Sequence, residues 1–333
     1  MAAVEIPMGG DALARSVRRI PRVAIVGVGL VGATTAYALL MSGEVSEIVL
    51  IGRDRERVEG HVSDLRDAAL YSHSGRIDAG DFTDCTTADV IIVTVGAPQS
   101  RDKRSRLDDL SSSAAMVEEV ITEIARHAPT GVLVMASNPV DVLTYAAWKW
   151  SGLPAGRVIG SGTSLDSSRL RWRLGERYGI ATEDVHAYVV GEHGDSQVAL
   201  LSSARIAGTT LEEFCRQRFL PCDESLFRRI AESARRGGYD IARAKGATNY
   251  GISAALTRIT RAILRDERAV LAVSTLVPDA MELGQVSLSV LAIIGRKGVH
   301  RFVPLQLSDE EKMALRRSAE LVKRHIATLN LPT

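Results

Sequence analysis

Cysteine is scarce in this chain. Cys85, Cys215 and Cys222 are the three it has, an odd number with no CxxC pair. That spacing argues against a disulfide framework or a zinc knuckle and favours a reducing compartment. Net charge is equally sparse: 41 Lys and Arg against 40 Asp and Glu leave +1, so no global field draws the protein to nucleic acid or a membrane. Repeats and low-complexity tracts are missing from the 333 residues. One run, Val23 to Met41, has no charge and is long enough to suggest a membrane span. Three glycines in its first half and the pair Thr34-Thr35 divide it instead into a short strand, a tight turn and a buried helix. The N-terminus carries Glu5 and Asp11 before any apolar run, unlike a signal peptide. Residues 1–20 read as an arm with a short amphipathic piece around Ala12–Ile20. The expectation is a cytoplasmic protein with no metal site.

What the chain does have is regular apolar punctuation. Strand-like runs rich in Val and Ile lie at Val23–Val26, Ile48–Ile51, Val90–Val95 and Val132–Ala136. Between them Leu30–Met41, Arg55–Ala69 and Leu107–His127 have helical length and period. Such alternation predicts right-handed βαβ units and a parallel sheet. Beyond about residue 160 strands follow strands directly, at Val185–Val190 and Val198–Ser202. Helices are then expected at Leu226–Ala244 and Ile252–Arg265, strands at Val270–Leu276 and Ser287–Ile294, and a last helix at Ser308–Ile326. Ser308 and Glu311 have the spacing of a capping box. The length favours two domains. The division predicted is 21–160 and 161–333, packed around one cleft without a flexible linker.

The first half carries Gly27-Val28-Gly29-Leu30-Val31-Gly32 between a strand and a helix. Glycines also serve turns and helix packing, but here the motif has the context of a dinucleotide site, where amides at the helix start hold a pyrophosphate. The fold class expected is α/β: an N-terminal Rossmann doubly wound parallel sheet followed by an α+β catalytic domain. Such a site usually ends its second strand in an acid that holds the adenosine ribose. This chain has Gly52 there, with Arg53 beside it. Arg53 suits a 2′-phosphate, so NADP is favoured, with NAD kept possible should Asp54 reach the ribose; the other reading of Asp54 is a helix cap.

His193 lies in Gly191-Glu192-His193-Gly194-Asp195. It reads either as a turn residue or as the proton donor that hydride transfer to a carbonyl needs. A carboxylate that fixes its tautomer would complete the pair, and Asp166 is a candidate; its plain alternative is a helix N-terminal acid. Arg169, three residues on, is either a surface ion-pair partner or a fork for a substrate carboxylate.

Together GVGLVG, SNPVD (137–141), GTSLDSSRLR (162–171), GEHGDS (191–196) and KGATNYGIS (245–253) resemble the L-lactate/malate dehydrogenase family, in particular its bacterial L-lactate branch. The resemblance runs in order from about residue 22 to 327. It implies that His193 exchanges the proton, Asp166 orients it, Arg169 clamps the substrate carboxylate and Arg106 polarises the reacting carbonyl from a mobile loop. Asn138 would bond near the carbonyl and the nicotinamide ribose, while Thr248 and Ile252 line the pocket. Gly27, Gly29, Leu30, Val31, Gly32, Gly52, Arg53 and Gly96 would border the cofactor. Gln99 stands where lactate enzymes carry glutamine and malate enzymes arginine. Arg171 and His186 fall where some bacterial members hold fructose 1,6-bisphosphate at a subunit interface, implying a homodimer or homotetramer.

Departures from the pattern bear on the substrate. The stretch from Gln99 to Arg106 is one residue longer than usual and carries Arg101, Lys103 and Arg104, read as a solvated loop or as contacts to an anionic tail. Gly237-Gly238 stand where small side chains are usual and would leave room for a substrate bulkier than pyruvate. The expected reaction interconverts a small 2-oxo acid and an L-2-hydroxy acid. The alternatives are a malate dehydrogenase and a nucleotide sensor without turnover.

Overall fold

The computed structural model describes residues 21–72, 75–96, 110–221 and 223–332. In chain order, β1 (Arg22–Val26), α1 (Leu30–Ser42), β2 (Glu47–Ile51), α2 (Arg55–Ala69), β3 (Arg76–Ala79) and β4 (Val90–Val93) are followed by α3 (Leu110–Arg126), β5 (Val132–Met135), α4 (Val140–Ser151), β6 (Val158–Gly160) and α5 (Ser164–Tyr178). Strands β1, β4 and β5 are buried almost along their length, which is why they read as unbroken Val and Ile runs. All pair in parallel, in the spatial order β3-β2-β1-β4-β5-β6. The order reverses between β1 and β4, and the crevice at that switch point is where a doubly wound sheet binds ligands.

The remainder adds β7 (Val185–His186), β8 (Val189–Val190), β9 (Val198–Ala199), β10 (Arg205–Ile206), β11 (Thr209–Thr210), α6 (Leu211–Gln217), α7 (Glu224–Lys245) and α8 (Tyr250–Leu264). It closes with β12 (Ala269–Leu276), β13 (Ser287–Gly295), β14 (Gly298–Phe302) and α9 (Asp309–Ile326). Strands β12, β13 and β14 are antiparallel and extend the parallel sheet from β6, where Ser274 faces Gly160. Helix α8 crosses back onto α1: Ser253 takes a bond from Thr35 (3.0 Å), and Asn249 donates to Thr34 (3.0 Å). The chargeless run 23–41 forms β1, the turn and α1, as its glycines imply. Among the described residues no helix is long and apolar enough to cross a membrane.

Two sequence expectations need correction. Val185–Val190 is not one strand but two, β7 and β8, in different sheets. The backbone of Val189 is diverted: its N–H donates to Ser167 Oγ (2.9 Å) and its carbonyl accepts from Thr163. Val198–Ser202 shortens to β9 because Ser202 gives its N–H (3.0 Å) and hydroxyl (2.5 Å) to Glu311 of α9. Helices α4 and α6 and strands β3, β6, β10, β11 and β14 were not anticipated. The arm 1–20 lies outside the described residues. Cys85 and Cys215 are buried and unpaired, and burial pushes the Cys85 thiol up to about 12, out of reactive range.

Candidate active site

The turn after β1 is built from close approaches. Gly27 adopts φ +102°, and a Cβ on Gly32 would lie 1.9 Å from the Gly27 carbonyl oxygen. Thr94 Oγ1 pins the same carbonyl at 2.8 Å. Gly29 caps α1 without any side-chain bond, and no acid stands in the first turn, so the amides there remain available to an anion. Among the described residues nothing comes within 4 Å of a Cβ at Gly29, or at Gly96 beyond β4. A pyrophosphate therefore fits this cradle. Leu30 is exposed and Val31 packs partly buried in the core under α1.

At the tip of β2 Asp54 is the N-cap of α2, its carboxylate accepting from the Arg57 amide at 3.1 Å. Arg53 is exposed and forms no ion pair with the described residues. Gly52 is tighter than its sequence suggests. A Cβ there would meet Val58 Cγ2 at 2.9 Å and Val28 Cγ2 at 3.2 Å.

On α5 the Asp166 side chain is buried at 1% exposure in the first turn, where the helix dipole favours a carboxylate. Its Oδ2 bonds His193 Nδ1 and its Oδ1 accepts from Arg169 Nη1 at 3.0 Å. One carboxylate thus organises both groups. It holds the imidazole with Nδ1 inward, leaving Nε2 as the atom able to exchange a proton.

The His193 loop is fixed from behind by a group to which the sequence had lent no role. Asp141, on the first turn of α4, is 2% exposed and accepts the His193 amide at 2.6 Å. Ser289 of β13 donates to the same carboxylate (3.3 Å) and accepts from the amide of Thr163, the N-cap of α5 (3.1 Å). Burial pushes Asp141 up to about 7; the Ser274 hydroxyl, the His193 amide and Ser289 oppose that rise, and Glu192 adds to it. Glu192 turns away from the imidazole, its carboxylate taking the amide (3.1 Å) and hydroxyl (2.5 Å) of Ser196.

Family models cover nearly the whole chain. Residues 21–160 match the NAD binding domain of lactate/malate dehydrogenases, and 163–330 match their alpha/beta C-terminal domain. The chain belongs to the lactate/malate dehydrogenase family. It is similar to an L-lactate dehydrogenase of Thermus aquaticus, 45% identical over 91% of this chain and 97% of the relative. An L-lactate dehydrogenase of Clostridium perfringens is 39% identical over 93% and 98%. Two crystal structures superpose with TM-score 0.88. One is a lactate dehydrogenase from a Medee basin deep-sea metagenome library, 36% identical, covering 92% of this chain and 98% of that one. The other is a minor L-lactate dehydrogenase of Enterococcus mundtii, 34% identical, covering 94% and 99%. The chain is a lactate dehydrogenase-like oxidoreductase with a nicotinamide cofactor.

The remaining residues named from the family pattern are dispersed around this frame. Asn138, joined to Pro139 by a cis peptide, follows β5; its Oδ1 is buried without a hydrogen-bond partner, as expected of an atom awaiting a ligand. Thr248 is half-buried in the turn before α8, and Ile252 packs with Val31 in the same core, bringing α8 against the start of α1. Arg171 donates Nε to the carbonyl of Val185 (2.6 Å), next to His186, so the two candidate effector residues are neighbours in the fold. Gln99, Arg101, Lys103, Arg104 and Arg106 lie outside the described residues. Among those described, no three or more His, Cys, Asp or Glu are grouped to hold a metal.

Proposed function

We propose that this lactate dehydrogenase-like enzyme reduces monocarboxylic 2-oxo acids to L-2-hydroxy acids, reversibly, with NADPH preferred to NADH. The observation that carries the reaction is the shared Asp166 carboxylate, which sets an imidazole and a guanidinium side by side. The nicotinamide, when bound, supplies the hydride. His193 gives the carbonyl oxygen a proton from Nε2, and Asp166 stabilises the imidazole in its charged and neutral forms. Arg169 takes the substrate carboxylate and fixes its orientation, converting an encounter into an aligned complex. Asn138 bonds the carbonyl region, Thr248 and Ile252 line the pocket, and Arg106 polarises the carbonyl. Gln99 opposes a second carboxylate on the substrate.

Gly237 supports tolerance for larger substrates. A methyl there would lie 3.4 Å from Arg169 Cδ, so its absence leaves slack beside the clamp. Cofactor preference rests on Gly52, on Arg53, which forms no ion pair among the described residues, and on the capping role of Asp54, which takes that carboxylate away from the ribose. We assign the halves at 160/161, a cytoplasmic location, and a homodimer or homotetramer. Exposed Tyr37 and Met41 on α1, Trp172 on α5 and Tyr250 on α8 support association. Arg171 and His186 are the pair to test for fructose 1,6-bisphosphate, which should lower the apparent KM.

The deciding experiment is a panel of 2-oxo acids, oxaloacetate included, assayed with both reduced cofactors. A monocarboxylic preference and a ten- to hundredfold advantage of NADPH, roughly the 1.5–3 kcal/mol of one charge-assisted contact, are expected. Faster turnover with NADH would overturn the cofactor assignment, and a preference for oxaloacetate the substrate assignment.

A further inference from the structure

Helices α5 and α7 lie against each other, and their facing stripes are unusual in charge. Arg169, Arg173 and Arg177 follow one another at intervals of four along α5, and Arg229, Ser233 and Gly237 do the same along α7. Where the stripes meet at Gly237, Arg169 Cδ and Arg173 Nη2 approach to 3.4 and 3.7 Å of the place a Cβ would occupy. Arg173 is thereby drawn into the groove, and its Nε is buried with no hydrogen-bond partner.

Further along, a cleft of about 350 Å³ opens between the helices, lined by Arg173, Glu176, Arg177, Arg229, Ile230 and Ser233. Three arginines and one glutamate leave it two positive charges. Neither Arg173 nor Arg177 forms an ion pair with any described residue; among the described residues Arg229 bonds the Ser225 hydroxyl at 2.8 Å and makes no ion pair, although the nearby Asp223 carboxylate feels its charge. This is not the general condition of α7, where Arg228, Arg235, Arg236 and Arg243 each hold a carboxylate. A cluster of like charges around an unsatisfied buried donor is costly unless something anionic enters.

We propose that this cleft is a binding site for a small multivalent oxyanion of the phosphate class, separate from the cofactor cradle and from the Arg171–His186 pair. Planar guanidinium groups match the oxygens of phosphate two at a time, and an anion held between both helices would bridge them. The ligand would also supply the acceptor that Arg173 Nε lacks. Binding to the folded state alone would raise the melting temperature.

The probe is inorganic pyrophosphate, with inorganic phosphate as the weaker comparison, titrated by calorimetry at fixed ionic strength into protein saturated with nicotinamide cofactor. The double variant Arg177→Ser/Arg229→Ser, both exposed positions, should weaken pyrophosphate binding at least tenfold and abolish the rise in melting temperature. Arg177→Lys/Arg229→Lys should retain part of both, and Arg171→Ser/His186→Ala should leave both intact. Equal affinity in the Ser/Ser variant and the unmutated protein, or loss confined to the Arg171/His186 variant, would overturn the assignment.

Discussion

His193 is held at two points of different kind: its ring by Asp166 and its backbone amide by Asp141. The two contacts predict different phenotypes. His193→Asn removes the proposed proton donor and should lower turnover by roughly two to four decades while cofactor binding persists; near-normal turnover would refute the role. Asp141→Asn keeps an acceptor for the amide and should leave turnover within a few-fold, whereas Asp141→Ala orphans the amide and should lower it. The same residue also predicts a pH effect on stability. Between the ordinary aspartate value near 3.9 and about 7, the unfolded chain has released this proton while the folded chain retains it. Asp141 therefore favours the folded state at low pH, and that contribution is lost as pH rises through this window, by about 1.4 kcal/mol per unit. Denaturant unfolding from pH 4.5 to 7.5 should show a flatter profile for Asp141→Asn. An unchanged slope would mean that Asp141 is ionised throughout.

At the scale of elements, α9 shows both what sequence spacing can reveal and where it stops. Ser308 and Glu311 form the capping box their spacing predicts, with Ser308 accepting from the Glu311 amide at 3.2 Å. The same Glu311 carboxylate also takes the amide and hydroxyl of Ser202, over a hundred residues away, and no local pattern announces that. Ser308→Ala should thus cost about 1 kcal/mol, while Glu311→Ala should cost more, on the order of 2 kcal/mol, because three hydrogen bonds to one buried carboxylate are lost together. Equal melting temperatures for the two variants would show the Ser202 link to be idle. The same distinction explains the rest of the reading. Helices with a strong local signature, α1 and α2, and the parallel strands β1, β2, β4 and β5 were legible. The short β7 and β8 were not, because Thr163 and Ser167 of α5 decide where their backbone groups go. His193, Asp166 and Arg169 were legible from their motifs. Asp141 lay inside a recognised motif, but its buried position and its hold on a distant amide exist only in the fold.

At the scale of the molecule, nine strands among the described residues form one sheet through both halves, the antiparallel β12 continuing from the parallel β6. The halves are joined elsewhere too: the His193 amide donates to Asp141 (2.6 Å), and α8 is bonded to α1. Cutting the chain at 160 would bare the edge of β6 and the face of α1 that α8 covers. The intact protein should therefore unfold in one calorimetric transition, with calorimetric and van't Hoff enthalpies in agreement at fixed protein concentration. Two separable transitions would show that the halves are independently stable.

The crowding at Gly52 gives any change of cofactor a required order of steps. An acid cannot simply be restored at the tip of β2, because its Cβ would press on Val58, a side chain of α2 that is 1% exposed and has no room to yield. Gly52→Asp alone should lose stability before it gains any selectivity for NADH. Val58→Ala alone should leave a small cavity and no change in preference. Only the pair should do both, with a coupling between the two sites that their separate effects do not add up to. Under the proposed NADPH preference, the choice of cofactor would then be guarded less by Arg53 than by Val58 behind the tip of β2. A lineage that trimmed that valine first could cross to the other cofactor, while one that gained the acid first would meet a loss of folding on the way.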